Sequence, residues 1–326
     1  MPHFDMPIAK LRRYNPPERP PKDFDAFWKN TLAQTAALGP PSPHFIQRLP
    51  NLFPLVDIYD VTFAGFANHP IKAWFLEPAG NDKPLPCIIS FIGYSGGRGL
   101  PADHLAPPCA GYAHFVMDTR GQGASSSGHS FGETPDPVGS GPATAGFLTK
   151  GIQSPDTYFY RRVFTDAVRA VQSAAQHPHV DPTRLAVSGV SQGGGIALAT
   201  AGLLGNKIKL CLADVPFLCH FRRAATLVDT HPYHEIAHYL RARRMDEDLV
   251  FHTLSYFDAL HFAPRITART LMSVALMDNI CPPSTIFAAY NRIRAKKEIR
   301  IYPFNTHEGG SLLQLEQRLH FTAKHL

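Results

Sequence analysis

The stretch Leu185-Ala-Val-Ser-Gly-Val-Ser191-Gln-Gly-Gly-Gly-Ile-Ala-Leu-Ala-Thr-Ala201 runs from a short apolar strand into an Ala- and Leu-rich helix, with a serine flanked by glycines at the turn. A serine on a sharp strand-to-helix turn has its hydroxyl exposed at a sheet edge. Flanking glycines let strand and helix approach closely. The five-residue pattern Gly-x-Ser-x-Gly occurs three times, however, centred on Ser95, Ser130 and Ser191. The surroundings separate the three. Ser130 lies in a Ser/Gly/Pro-rich loop with no strand before it and no helix after it. Ser95 follows a good strand, but the Gly- and Pro-rich segment after it does not begin a helix. Only Ser191 has both neighbours.

Outward from Ser191, apolar strand-like runs alternate with helical periodicity. Residues 56–63 and 71–76 read as an antiparallel pair. Residues 86–92 and 113–118 are continuous apolar runs, as expected of strands buried on both faces. Further strands are expected at 184–188, 208–213, 271–276 and 298–302, with helices at 156–176, 193–204, 284–295 and 311–326. Such alternation predicts a doubly wound, mostly parallel sheet, and with the serine turn it defines an α/β-hydrolase fold. The strand signal vanishes between 214 and 263, which reads as a helical excursion over the sheet's carboxyl edge. Residues 1–55 form a Pro-rich amino-terminal extension with a helical patch at Phe24-Asp-Ala-Phe-Trp28. All 326 residues are expected in one domain.

A nucleophilic serine needs a base, and the base needs an orienting acid. In this fold they follow in the order Ser, Asp or Glu, His. Asp278 emerges at the end of the strand at 271–276, and His307 lies on the loop after 298–302. With 17 histidines in the chain, either partner alone is weak evidence; their joint placement carries the assignment. Glu308 is the second choice of acid, disfavoured because adjacent residues orient one another poorly. The oxyanion hole needs two backbone N–H groups, expected from Gln192 and from Tyr94 in the loop after the 86–92 strand.

A rival motif is His234-Glu235-Ile-Ala-His238, which matches the zinc-protease helix, with His231 nearby. The segment beyond it offers no further ligand, so a helix with scattered histidines is the favoured reading. No metal and no cofactor are expected.

Composition bounds the rest. The chain carries 32 basic and 26 acidic residues, but the basic groups at 241–244 and 296–297 lack interleaved aromatics, so nucleic acid is not an expected partner. The five cysteines fit no metal or redox motif, and Cys87 and Cys211 sit in apolar runs. No uninterrupted apolar stretch of about 18 residues occurs, so no membrane span is expected. The first residues lack an apolar core of the secretory kind, and a reducing, cytoplasmic setting is the default.

These segments resemble the acetyl xylan esterase and cephalosporin C deacetylase family, carbohydrate esterase family seven. The likeness spans Pro21-Lys-Asp-Phe-Asp-Ala-Phe-Trp28, Gly93-Tyr94, Arg120-Gly-Gln122, Gly189-Val-Ser-Gln-Gly-Gly194, Asp214-Val-Pro-Phe-Leu218, Asp278-Asn-Ile-Cys-Pro-Pro-Ser-Thr285 and His307-Glu308. The resemblance implies a serine esterase that deacetylates small acetylated sugars such as xylo-oligosaccharides, and cephalosporin C. It implies no cofactor, assembly as a homo-oligomer of six subunits, and Tyr94 and Gln192 as oxyanion donors. The motif at 234–238 falls inside an ordinary segment of that family. Ile92 stands where the family commonly has His, and the Ser/Gly/Pro-rich residues 128–145 also depart from its pattern.

Overall fold

The computed structural model describes residues 3–124, 131–139 and 141–326. Ser130, the weakest of the three serine candidates, lies outside them. Among the described residues, nine strands form one sheet: β1 (His44–Gln47), β2 (Val56–Ala64), β3 (Pro70–Pro78), β4 (Leu85–Phe91), β5 (Ala113–Met117), β6 (Val180–Val190), β7 (Leu210–Asp214), β8 (Arg269–Ala275) and β9 (Lys297–Tyr302). Their spatial order is β1-β2-β3-β5-β4-β6-β7-β8-β9. The contacts from β1 to β5 are antiparallel, and β5, β4 and β6 to β9 run parallel.

The central strands are apolar on both faces because helices cover both. On one face Cys87, Ile89, Phe115, Val187, Cys211 and Met272 are inaccessible to solvent, and on the other Ala186, Leu210, Leu212 and Leu271 are buried in a second cluster. The thiols of Cys87 and Cys211 are pushed up by that burial, which makes them inert core groups.

The helices are α1 (Ile8–Leu11), α2 (Phe24–Ala37), α3 (Ala106–Cys109), α4 (Phe159–Ala174), α5 (Gln192–Leu204), α6 (Phe221–Leu227), α7 (His234–Ala242), α8 (Glu247–Ser255), α9 (Ala259–Phe262), α10 (Pro283–Arg292) and α11 (Ser311–His325). The helical excursion thus consists of α6 to α9, between β7 and β8. The segment after Ser95 does hold helical structure, a 3₁₀ turn at Pro101–His104 and the single turn of α3. Its prolines fall at the first positions of these turns, where the missing N–H costs nothing. Neither turn starts at Ser95, so the contrast with Ser191 stands.

The amino-terminal extension straps the excursion to the sheet. The helical patch at Phe24 extends through all of α2, and its Trp28 indole donates to the Tyr256 carbonyl at 2.9 Å. Phe24 and Trp28 pack edge-on against Phe262. Further upstream, Asp5 receives the Arg223 guanidinium and the Ser284 N–H, joining α6 to α10. The short strand β1 has no sequence signal of its own. It forms because Phe45 packs on Phe75 and His177 over the sheet's edge.

Chain progression reverses between β4 and β6. After β4 the chain lays β5 on one side, then returns to lay β6 on the other. Crevices at the carboxyl ends of strands flanking such a reversal are where open α/β sheets hold ligands. The loops leaving β4 and β6 there carry Tyr94 and Ser191.

Candidate active site

Ser191 is held at φ 55°, in the left-handed region that side-chain-bearing residues seldom occupy. Three contacts over-determine this backbone. The Ser191 N–H donates to the Asp214 carbonyl at 2.9 Å, and the Ser191 carbonyl accepts the N–H groups of Phe217 and Gly195. The flanking glycines are sterically required. A Cβ on Gly189 would stand 2.1 Å from the Gly193 carbonyl carbon, and one on Gly193 would stand 2.1 Å from the Phe91 carbonyl oxygen. The turn therefore lifts Ser191 above β6 while α5 starts directly against β4.

Asp278 and His307 meet Ser191 in a line. His307 Nε2 lies 2.9 Å from Ser191 Oγ, and His307 Nδ1 lies 2.8 Å from Asp278 Oδ2. Asp278 is buried, and its other oxygen accepts the N–H groups of Ile280 and Cys281 at 2.8 and 2.9 Å. The loops carrying the pair are tied together where the Met277 N–H donates to the Asn305 carbonyl. Glu308 turns away from His307. Its carboxylate takes Asn305 Nδ2, the Thr306 N–H and the Thr306 hydroxyl, which brace the loop and hold its pKa low. It takes no part in orienting the imidazole.

The Tyr94 and Gln192 N–H groups have no hydrogen-bond partner among the described residues. Each belongs to a residue whose side chain is firmly held. The Gln192 amide is fully buried; its oxygen accepts the Tyr160 hydroxyl at 2.7 Å, and its nitrogen donates to the Ile92 carbonyl at 3.1 Å. It also pairs with Gln122, whose Oε1 accepts the Ser95 N–H at 2.8 Å. Gln122 thereby joins the loop after β4 to the start of α5. Its neighbour Arg120 anchors the whole segment, gripping Asp166 of α4 through Nε and Nη2 at 2.6 and 2.8 Å. The Arg-Gly-Gln motif is thus a support for the two N–H donors, a role that spacing alone did not reveal.

Tyr94 is propped from the excursion. Its hydroxyl donates to Glu235 Oε1 at 2.7 Å and accepts the Phe147 and Leu148 N–H groups. Burial, with Glu235 beside it, pushes the phenol upward, so it stays a neutral donor. The other Glu235 oxygen accepts the Leu148 N–H at 3.0 Å. The zinc-helix alternative is overturned by this arrangement. His231 and His238 lie on the surface and His234 is half-buried, but the Glu235 carboxylate points into the protein with both oxygens engaged. It cannot serve as the base of a metal held outside by His234 and His238. Gly146 belongs to the same construction: at φ 126°, it leaves the space that a Cβ would take from the Glu235 carboxylate.

Cys281 completes the floor. Its thiol is buried beside Ser191, and burial together with Asp278 pushes it well upward, so it remains a thiol. Ile92 faces away from the triad and packs on the apolar cluster of Val56, Ile58, Trp74, Leu76 and Val116.

A serine on a strained turn, an imidazole bridging it to a buried carboxylate, and two free N–H groups on adjacent loops define the geometry of an α/β-hydrolase of the serine type. Residues 1–325 match the acetyl xylan esterase family, and the chain belongs to it. Two solved structures agree over almost their whole lengths. An acetyl xylan esterase from a Paenibacillus species is 38% identical with a TM-score of 0.92, covering 98% of this chain and 100% of its own. Acetyl xylan esterase 1 from a Thermoanaerobacterium species is 34% identical with a TM-score of 0.88, covering 97% and 99%. An acetyl esterase of Xylanibacter ruminicola is 29% identical over 294 residues, which is 88% of this chain; the chain spans 63% of that relative's length.

Proposed function

We propose that the protein is a serine esterase that removes acetyl groups from small acetylated sugars, xylo-oligosaccharides among them, through an acetyl-enzyme on Ser191. The observation that carries this is His307 bridging Ser191 and Asp278 at 2.9 and 2.8 Å. His307 Nε2 takes the Ser191 proton as Oγ attacks the acetyl carbonyl. Asp278 fixes the tautomer and stabilises the imidazolium. The N–H groups of Tyr94 and Gln192 receive the negative oxygen, each contributing roughly 10²–10³ in rate. Collapse expels the sugar alkoxide, which takes the proton from His307. Water then attacks the acetyl-enzyme along the same route, yielding acetate and free Ser191.

Family membership and the acetyl xylan esterase structures support the acetyl-sugar reading. We extend it to cephalosporin C, whose acetyl ester presents the same reacting group. The reading treats residues 1–326 as one working unit, because Leu11, Phe24 and Trp28 of the extension share the main hydrophobic core. It includes assembly as a homo-oligomer of six and a cytoplasmic setting, the latter supported by five unpaired cysteines. The test is acetate release from acetylated xylobiose alongside butyrate and octanoate aryl esters. Preference for the acetyl substrates supports the reading, and preference for octanoate overturns it.

A further inference from the structure

On the sheet edge opposite the triad, β3 ends beside the turn that leads into β6. Glu77, next to last in β3, meets His177 and His179 of the segment His177-Pro-His179 there. One ring nitrogen of each histidine and a carboxylate oxygen of Glu77 all lie within 4.8 Å of one another. We propose that Glu77, His177 and His179 form a binding site for a zinc-type transition-metal dication, separate from the esterase machinery.

The donor set is two imidazoles and one carboxylate, which suits zinc and its borderline neighbours and not calcium or magnesium. The geometry is close to what binding requires. Metal–ligand bonds of about 2.0–2.1 Å in a tetrahedron place the donors roughly 3.3 Å apart. His179 Nδ1 already lies 3.0 Å from both Glu77 oxygens. His177 has the remaining distance to close, a side-chain movement on the order of 1 Å.

The site is also built. Glu77 is 1% exposed and His177 7% exposed. The His177 ring is seated among Phe45, Tyr59 and Phe75, with the Phe75 centroid 4.2 Å away. Tyr59 also packs on Phe75, so the His177 ring is held between fixed aromatic neighbours. His179 has a side chain that is 32% exposed and opens the site to solvent, giving the ion a route in and a free position for water. Glu77 is a buried acid, and a bound dication would supply its counter-charge. Binding replaces the His179 Nδ1 hydrogen bonds to Glu77 and, where His177 Nδ1 is the ligand, the weak contact it accepts from the His179 N–H at 3.3 Å. His179 Nδ1 must also give up its hydrogen so that its lone pair can take the metal.

Along the neighbouring β4 the same stretch runs from Leu85, opposite Val180, to Phe91, opposite Gly189, so roughly 20 Å of sheet at ~3.3 Å per residue lies between this edge and the Ser191 turn. The metal would therefore clamp β3 to the α4–β6 turn and act on stability, leaving the chemistry untouched.

The test uses the full chain carrying His234→Asn and His238→Asn, which removes the surface pair on α7. After chelator treatment and desalting it is titrated with Co²⁺, followed by visible absorption, and with Zn²⁺, followed by calorimetry and thermal unfolding. The expected result is saturation at about one equivalent and a rise in Tm of a few degrees in excess metal. Adding His179→Asn or Glu77→Gln should abolish both signals. Aryl acetate hydrolysis without metal reports that each variant is folded, and the part-exposed His179 keeps the test readable where Glu77→Gln fails to fold. Absence of binding in the starting protein, or binding that survives His179→Asn, overturns the proposal.

Discussion

The hydroxyl of Tyr94 donates a 2.7 Å hydrogen bond to the carboxylate of Glu235, so the loop carrying the proposed oxyanion donor Tyr94 N–H rests on helix α7 of the excursion. The residue that gives the 234–238 segment its zinc-protease appearance is thereby explained as a strut.

Glu235→Ala follows directly. It leaves the Tyr94 hydroxyl without its buried acceptor, at a cost of about 1–3 kcal/mol, and removes one of the two acceptors of the Leu148 N–H. It also lets the Tyr94 loop drift, and a displacement near 1 Å lowers kcat by roughly 10². Steady-state kinetics on an aryl acetate should show kcat falling more than KM changes, with chelator having no effect on wild type. Loss of wild-type activity on chelation would contradict this.

Gln122→Ala removes the bridge between the Ser95 N–H and the Gln192 amide. Both loops proposed to hold the oxyanion lose their common tie while the Ser191–His307–Asp278 line stays intact. The expected effect is a fall in kcat of roughly 10-fold or more, with the pH profile unchanged. A shifted profile would place Gln122 in the proton-transfer path instead.

Asp278→Asn keeps the shape of the line but lets the amide donate to His307 Nδ1, which favours the wrong tautomer. The expected loss in kcat is roughly 10⁴. Glu308→Gln should change kcat by less than about 10-fold, since Glu308 braces Asn305 and Thr306 only. Equal losses in the two variants would contradict the assignment of the acid.

Acid stability rests on Asp136. Burial opposes its ionisation, but hydrogen bonds from Arg162 and Lys150 prevail and bring its pKa down to about 2. A carboxyl whose folded value is depressed stabilises the fold above its unfolded value, and that contribution is lost as pH falls through the folded one. Thermal unfolding should therefore show Tm dropping between about pH 4 and pH 2. Asp136→Asn should flatten that drop while lowering Tm at neutral pH.

The parallel strands were legible because burial on both faces leaves continuous apolar runs such as Cys87-Ile-Ile-Ser-Phe91. The Ser191–His307–Asp278 line was legible because each member follows a strand, in a fixed chain order. Strand β1 was not, since its four residues are mostly exposed and held by pairing with β2 and by Phe45 on Phe75 and His177. The supports of the oxyanion loops were equally hidden. The pairs Gln122–Gln192 and Tyr94–Glu235 are 70 and 141 residues apart, and no local pattern encodes them. Of the Arg-Gly-Gln motif, only the resemblance to a family was visible; its physical role needed the fold.

The most direct test of the central claim is acetate release by Ser191→Ala, with Ser95→Ala in parallel. Ser191→Ala should retain its fold by circular dichroism and lose activity by at least about 10⁴. Ser95→Ala should keep most of its activity, because only the Ser95 backbone N–H is engaged with Gln122. Wild-type rates in Ser191→Ala, or loss confined to Ser95→Ala, would contradict the account.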